Sequence, residues 1–184
     1  MTSTIRALRP APLPPAADAG APPRDLASVY RKYCRYVAAV CLRISGRRQE
    51  LDDLVQEVFA EAASTFEALR EPEAIRGWLA TIAVRVTRKR LHRLRMYGWI
   101  GLAPVPDYDE VADAAASPYD RALLAAIYRA LDAVALDDRI AFVLHHVEGE
   151  TLESVAKLTS SSLTTTKRRI QRARSSLERR LSDD

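Results

Sequence analysis

Two groups of side chains in this sequence have the types and spacing to bind a polyanion. Arg85, Arg88, Lys89, His92 and Arg95 follow one another at close to the helical repeat, and Arg90 and Arg93 fill the flanks. No acidic residue lies between Glu73 and Asp107 to neutralise them, so the stripe repels itself unless a polyanion or an acidic partner meets it. The second group is Lys167, Arg168, Gln171 and Arg172 near the C-terminus. Arg makes paired hydrogen bonds to guanine, Gln does so to adenine, and Lys serves guanine or phosphate. A third group has the opposite sign: Asp52, Asp53, Gln56, Glu57 and Glu61 share the outer face of one amphipathic segment and suit a basic protein partner. Neutralisation of this acidic helix by the basic one inside a single domain is the competing expectation.

Catalytic chemistry finds little support. Cys34, Cys41, His92, His145 and His146 give no local pairing of nucleophile and base, and no glycine-rich phosphate loop is present. The two cysteines lie two turns apart on one helical segment, too far for a bridge, and are expected as small buried residues. His145 and His146 are adjacent and are expected to point apart, which argues against a paired metal site. No catalytic residue, metal or cofactor is therefore expected.

These groups need elements to hold them. The chain has 184 residues, 48% of them hydrophobic, with 28 Lys and Arg against 24 Asp and Glu, so placement of charge says more than its sum. Gly is scarce and alternation of period two is absent, which predicts an all-α fold. No apolar run is long enough to span a membrane and no signal-peptide core opens the sequence, so a reducing cytoplasmic setting is expected.

Residues 1–24, rich in Pro and Ala, are expected to be disordered. A helix follows from Asp25 to Ser45 with Gly46 as its cap, then a second with Leu51, Leu54, Val55, Val58, Phe59 and Ala62 inward. Pro72 predicts a loop over Phe66–Ala74. The basic stripe then rides on a helix from Ile75 to Arg95 whose inner face is Ile75, Trp78, Leu79, Ile82, Ala83 and Val86. Two glycines, two prolines and Asp107, Asp109, Glu110 and Asp113 mark a flexible acidic linker over 98–117. Helical spacing resumes from Tyr119 to Val134 and again through Ile140, Val143, Leu144 and Val147 to Gly149. Thr151 suits the cap of a short helix ending at Leu158, Ser160–Ser162 a turn, and Ser162 the cap of a basic helix from Leu163. Its inner face is read as Leu163, Thr166, Ile170, Ala173 and Leu177. Two helices joined by so short a turn, the second basic, describe a helix-turn-helix. The expectation is two small helical domains, 25–97 and 118–184, joined by the linker.

An acidic DDLVQEVF helix, a GWLATIA helix turning basic, an acidic linker, HVEGETLESVA and then TTTKRRIQRAR: this order resembles the extracytoplasmic-function subfamily of the sigma-70 factors of bacterial RNA polymerase, from Asp25 to Leu181. The resemblance implies a transcription initiation factor that directs core polymerase to promoters and assists strand opening by binding alone. Asp53, Gln56 and Glu57 match positions that bind the beta-prime clamp helices. The loop Phe66–Ala74 and Arg76, Trp78, Arg85, Arg88, Lys89 and His92 fall where such factors melt and capture the minus-10 element. Lys167, Arg168, Gln171 and Arg172 fall on the minus-35 readers. The linker is implied to run towards the RNA exit path, and the beta flap and an anti-sigma factor are implied partners. A self-sufficient helix-turn-helix regulator with a helical sensor or dimerisation domain is the alternative.

The chain departs from that family at several positions. Arg85 and Lys89 stand where Asn and Asp are usual, Ser160 replaces a Gly, Ser161 replaces an apolar plug, and Thr164–Thr166 lengthen a run of poor helix formers. A non-Gly residue held left-handed costs about 1 kcal/mol, a lost plug about 1.5–3 kcal/mol, and three Thr about 1.5 kcal/mol against Ala. The C-terminal domain is therefore expected to be marginal alone.

Overall fold

A computed structural model describes residues 25–69, 74–99, 106–108, 111 and 117–182. Residues 1–24 and most of the expected linker lie outside the described residues. Within them every regular element is a helix: α1 Leu26–Ser45, α2 Leu51–Thr65, α3 Ile75–Trp99, α4 Pro118–Asp132, α5 Leu136–His146, α6 Leu152–Leu158 and α7 Leu163–Ser182. Two short 3-10 turns, Arg48–Glu50 and Phe66–Ala68, bracket α2.

Side-chain caps fix where the helices begin. Asp25 accepts from the Ser28 N–H at 2.8 Å, Ser117 from Asp120, Thr151 from Ser154 and Ser162 from Thr165, each meeting one of the orphan donors of a first turn. Pro118, at the first position of α4, has no N–H to leave unpaired. Gly46 ends α1 at φ 67, and its N–H donates to Leu42 O.

Helices α1, α2 and α3 pack on one another through Val29, Val37, Val40, Cys41, Ile44, Leu54, Val58, Leu79 and Ala83, all essentially inaccessible to water. α3 departs from its sequence reading in two ways. It continues past Arg95 to Trp99, because Met96 and Tyr97 sustain the helix before the glycine and proline punctuation takes effect. It also buries Ala80, Val84, Thr87 and Leu91 beyond the expected stripe. The cause is tertiary: α1 and α2 cover one side of α3, and α5 and α6 cover part of another.

α5 is the hub of the C-terminal half. It touches α1, α3, α6 and α7, and every residue from Asp138 to Leu144 is buried. α7 lies along it through Thr166, Ile170, Ala173 and Leu177. Leu163, expected on this inner face, is instead exposed, one turn before Thr166, the first buried residue of α7.

A polar seam joins the halves at the C-terminal end of α1, where helical carbonyls have no intrahelical partner. Tyr128 Oη donates to Arg43 O at 3.0 Å, Arg139 Nε to Ile44 O at 3.1 Å and Arg139 Nη2 to Ser45 O at 2.7 Å. Arg139 is 1% exposed and also pairs with Asp132, which Tyr108 Oη meets from the other side. The Tyr128 ring lies against Gly46, where an added Cβ would sit 2.4 Å from Cδ1. The glycine thus supplies both the left-handed cap and the space for its neighbour. Nearby, Arg43 and Glu148 form a buried ion pair at 2.9 Å.

Candidate nucleic-acid interface

α3 carries the first cationic group over the turns from Arg85 to His92. Arg85, Arg88, Lys89 and His92 are exposed there, and with Ala135, Leu136 and Asp137 they line an open cleft between α3 and the start of α5. Arg76 lies 4.8 Å over the Tyr36 ring, and Trp78 is half-buried with its ring 6.3 Å from Phe66.

The stripe is not the unpartnered face that its local sequence suggests. Arg85 pairs with Glu61, Arg93 with Glu57 at 3.7 Å, and Arg90 with Glu50 at 3.6 Å and Asp53 at 3.5 Å. Arg88 pairs with Asp137 at 2.9 Å, and Arg95 donates to Val134 O at 2.7 Å. Lys89 and His92 have no ion-pair partner among the described residues. The acids come from the 3-10 turn before α2, from α2 itself and from α5, which explains their absence from the α3 segment. The separation of one acidic and one basic surface is accordingly corrected to a shared, partly neutralised one.

These pairs differ in strength. Those of Arg90 with Asp53 and Arg93 with Glu57 are long and solvent-facing, and such pairs are worth about 0–1 kcal/mol each. They can be exchanged for phosphate or for a partner's cations at small cost. Asp53 keeps 71% of its side chain exposed, and Gln56 beside it is exposed, so this turn of α2 still presents an acceptor surface.

The second group sits on α7. The turn before it differs from the expectation of a lost plug. Ser160 holds φ 50, the left-handed conformation that a glycine would adopt without penalty. Ser161 fills the plug position with a hydroxyl that bridges Thr159 Oγ1 and Thr166 Oγ1, each at 2.9 Å. Thr166 is fully buried and also donates to Ser162 O at 3.1 Å, while Thr165 bonds the Ser162 hydroxyl. A satisfied hydroxyl chain thus replaces the apolar contact, and two of the three threonines have a local role that propensity alone does not count.

Lys167, Arg168 and Gln171 project outward from α7, exposed. Arg172 is exposed as well, but its fork is engaged by Asp138 through bonds of 2.8 and 2.7 Å. The same fork that would read a guanine is spent on a carboxylate in this arrangement. Sequence reasoning missed Arg169, which pairs with Asp137 at 2.6 Å, and both aspartates. The only advance signal for Asp137 and Asp138 was acid in the first turn of a helix, which the helix dipole favours anyway.

The residues weighed for catalysis remain apart from any such arrangement. Cys41 is buried and its thiol is pushed up to about 11 by burial; Cys34 is half-buried, and both are unbridged. His145 and His146 do not point apart: their rings lie 4.9 Å apart, edge to face. His145 Nδ1 meets Glu150 O, His146 packs on Phe142, and among the described residues no group of three or more His, Cys, Asp or Glu is placed to hold a metal. No helix among them is long and apolar enough to cross a membrane.

Comparison with known proteins covers both halves. Residues 29–96 match the family description Sigma-70 region 2, and residues 124–177 match Sigma-70, region 4. The ECF RNA polymerase sigma factor SigE of Mycolicibacterium smegmatis is 30% identical over 80% of this chain and 58% of its own length. SigM of Mycobacterium tuberculosis, also an ECF RNA polymerase sigma factor, is 28% identical over 83% of this chain and 75% of its own. Among solved structures, the sigma factor RpoE of Bartonella quintana, crystallised with the anti-sigma factor NepR, superposes with a TM-score of 0.64 at 22% identity, covering 88% of this chain and 99% of that one. CnrH, solved with the cytosolic domain of CnrY, gives 0.59 at 19% identity over 100% and 97%. With both regions present in order on a matching helical fold, the chain belongs to the extracytoplasmic-function group of the sigma-70 family.

Proposed function

We propose that this chain is a transcription initiation factor that binds core RNA polymerase, directs it to promoters and assists strand opening, working in the cytoplasm by binding and without catalysis of its own. The observation that carries the reading is the succession of a region 2 match bearing an exposed acidic turn and a cationic helix, then a region 4 match bearing a helix-turn-helix. Asp53, Gln56 and Glu57 are the proposed grip on the beta-prime clamp helices. Arg76, Trp78, Arg85, Arg88, Lys89 and His92 are proposed to hold the minus-10 strand, the cations on phosphates and the indole against an unstacked base. Lys167, Arg168, Gln171 and Arg172 are proposed to read the minus-35 duplex, Arg172 after leaving Asp138.

The domain boundaries proposed with this reading are 25–97 and 118–184, the second half contacting the beta flap. An anti-sigma factor is a further proposed partner, supported by the two structural neighbours having been solved with such a protein or a cytosolic partner domain. A gel shift on promoter-bearing DNA, with and without core polymerase, tests the reading. Sequence-selective binding only in the presence of core enzyme is expected. Tight, selective binding by the chain alone as a symmetric dimer would identify a self-sufficient regulator instead.

A further inference from the structure

The cleft between α3 and α5 has three cationic side chains on one wall, Arg85, Arg88 and Lys89, with His92 beside them, and one acid on the other, Asp137. That carboxylate is shared. Its Oδ1 lies 2.9 Å from Arg88 Nε and its Oδ2 3.1 Å from Arg88 Nη2, a two-bond fork, while Arg169 Nη2 reaches Oδ2 at 2.6 Å. Arg88 belongs to the cationic face of α3 and Arg169 to the recognition helix α7, so a single side chain joins the two helices that the proposed function turns towards DNA.

The geometry around Asp137 is that of a phosphate in a guanidinium clamp. Two guanidinium groups converge on two oxygens, with the N-terminus of α5 behind them, an arrangement that stabilises a phosphate oxygen as readily as a carboxylate. The side chain is 29% exposed, and those of its partners Arg88 and Arg169 are 49% and 16% exposed, so the clamp opens to solvent from the Arg88 side. Asp138 next to it is more deeply held and engages Arg172 within the C-terminal half. Of these acid contacts only the one between Asp137 and Arg88 crosses from one half to the other.

We propose that Asp137 is an internal competitor for DNA phosphate: while the halves are packed together it occupies one guanidinium from each DNA-facing helix, and a phosphate can engage Arg88 and Arg169 only by displacing it. This rests on the reading of α3 and α7 as DNA-facing. The carboxylate lowers the affinity of the closed chain for any duplex, irrespective of sequence, and the effect is ionic, so it enters the salt dependence of binding.

The experiment is fluorescence anisotropy of the full chain with a labelled duplex of random sequence over a series of NaCl concentrations. Asp137→Asn is compared with the wild type, with Asp137→Glu, and with Asp52→Asn, which removes an exposed acid on α2 and gives the same change in net charge. Asp137→Asn is expected to tighten binding about fivefold or more at low salt, the scale of two partly exposed ion pairs released. It is also expected to steepen the slope of log K against log salt by about 1–2, one for each cation delivered to phosphate. Asp137→Glu should stay near wild type, and Asp52→Asn should give the smaller generic effect of charge.

Equal affinity and slope for Asp137→Asn and Asp52→Asn would overturn the proposal. Asp137→Ser, which removes the charge and keeps a residue suited to a helix start, gives the same reading if the Asn variant does not fold. The assay contains no polymerase. A chain that fails to associate with core enzyme yet shows the Asp137 effect loses the proposed function and keeps this inference. A chain that works with core enzyme but shows no Asp137 effect does the reverse.

Discussion

Ser160 occupies a left-handed conformation that its Cβ disfavours, at φ 50 in the turn between α6 and α7. Ser160→Gly is expected to raise stability by about 0.5–1 kcal/mol, the relief of strain being offset in part by greater freedom in the unfolded chain. A urea midpoint that rises at constant m-value checks this, and an unchanged midpoint would mean the serine is not strained. His146 offers a second test. Burial holds it below its ordinary 6.5, with His145 and Arg174 adding repulsion. Its folded form therefore binds protons less readily than its unfolded form, and stability is present above 6.5 and lost as pH falls through the lowered folded value. The melting temperature should fall between pH 7.5 and 5.5, and His146→Gln should flatten that dependence. The left-handed strain at Ser160 was legible in the sequence because it is local; the pairing of Arg169 and Arg172 with Asp137 and Asp138 was not, because it joins positions more than thirty residues apart.

Among the elements, caps and apolar spacing defined the helices well: Gly46, Thr151 and Ser162 stand where their chemistry places them, and Asp25, read as the first helical residue, is the cap. The inner faces were read less completely. Val84 and Leu91 lie outside the inner face read for α3, yet both are buried, on a helix that α5 and α6 partly cover. The hydroxyl chain through Ser161 was likewise hidden, since three adjacent threonines read as a loss of helix propensity and not as partners for a buried serine. Thr166→Val keeps the shape and removes both bonds of that hydroxyl, to Ser161 and to Ser162 O. It is expected to cost about 1–2 kcal/mol, more than an isosteric change at an apolar site. Denaturant unfolding measures it, and a neutral outcome would show that Ser161 takes no support from the bond.

For the whole molecule, the sequence predicted two helical domains and a linker, and the halves are found packed through a polar seam. Nothing in the pattern announces such a seam, because it is built from backbone carbonyls of α1 that any sequence would present. Arg139 is its centre. Arg139→Met should cost about 3 kcal/mol or more, since a buried guanidinium with three partners is lost while the carbonyls and Asp132 stay behind. It should also loosen the halves, seen as faster amide exchange at Ile44–Arg47; unaltered exchange there would count against the seam. The partly neutralised cations make the same point about function. The pairs of Arg90 with Asp53 and Arg93 with Glu57 are long, so those cations can pass to a stronger polyanion at small cost, whereas Arg172 is held by the buried Asp138.

If this chain gives core polymerase its choice of promoter, as proposed, it must change where transcription starts. The most direct measurement is transcription in vitro by core RNA polymerase on a library of random upstream sequences, with the purified chain added or withheld. Starts that appear only with the chain and share two short upstream elements are expected, and they should be lost when Asp53 and Glu57 are replaced together by Lys. Identical starts with and without the chain would contradict it.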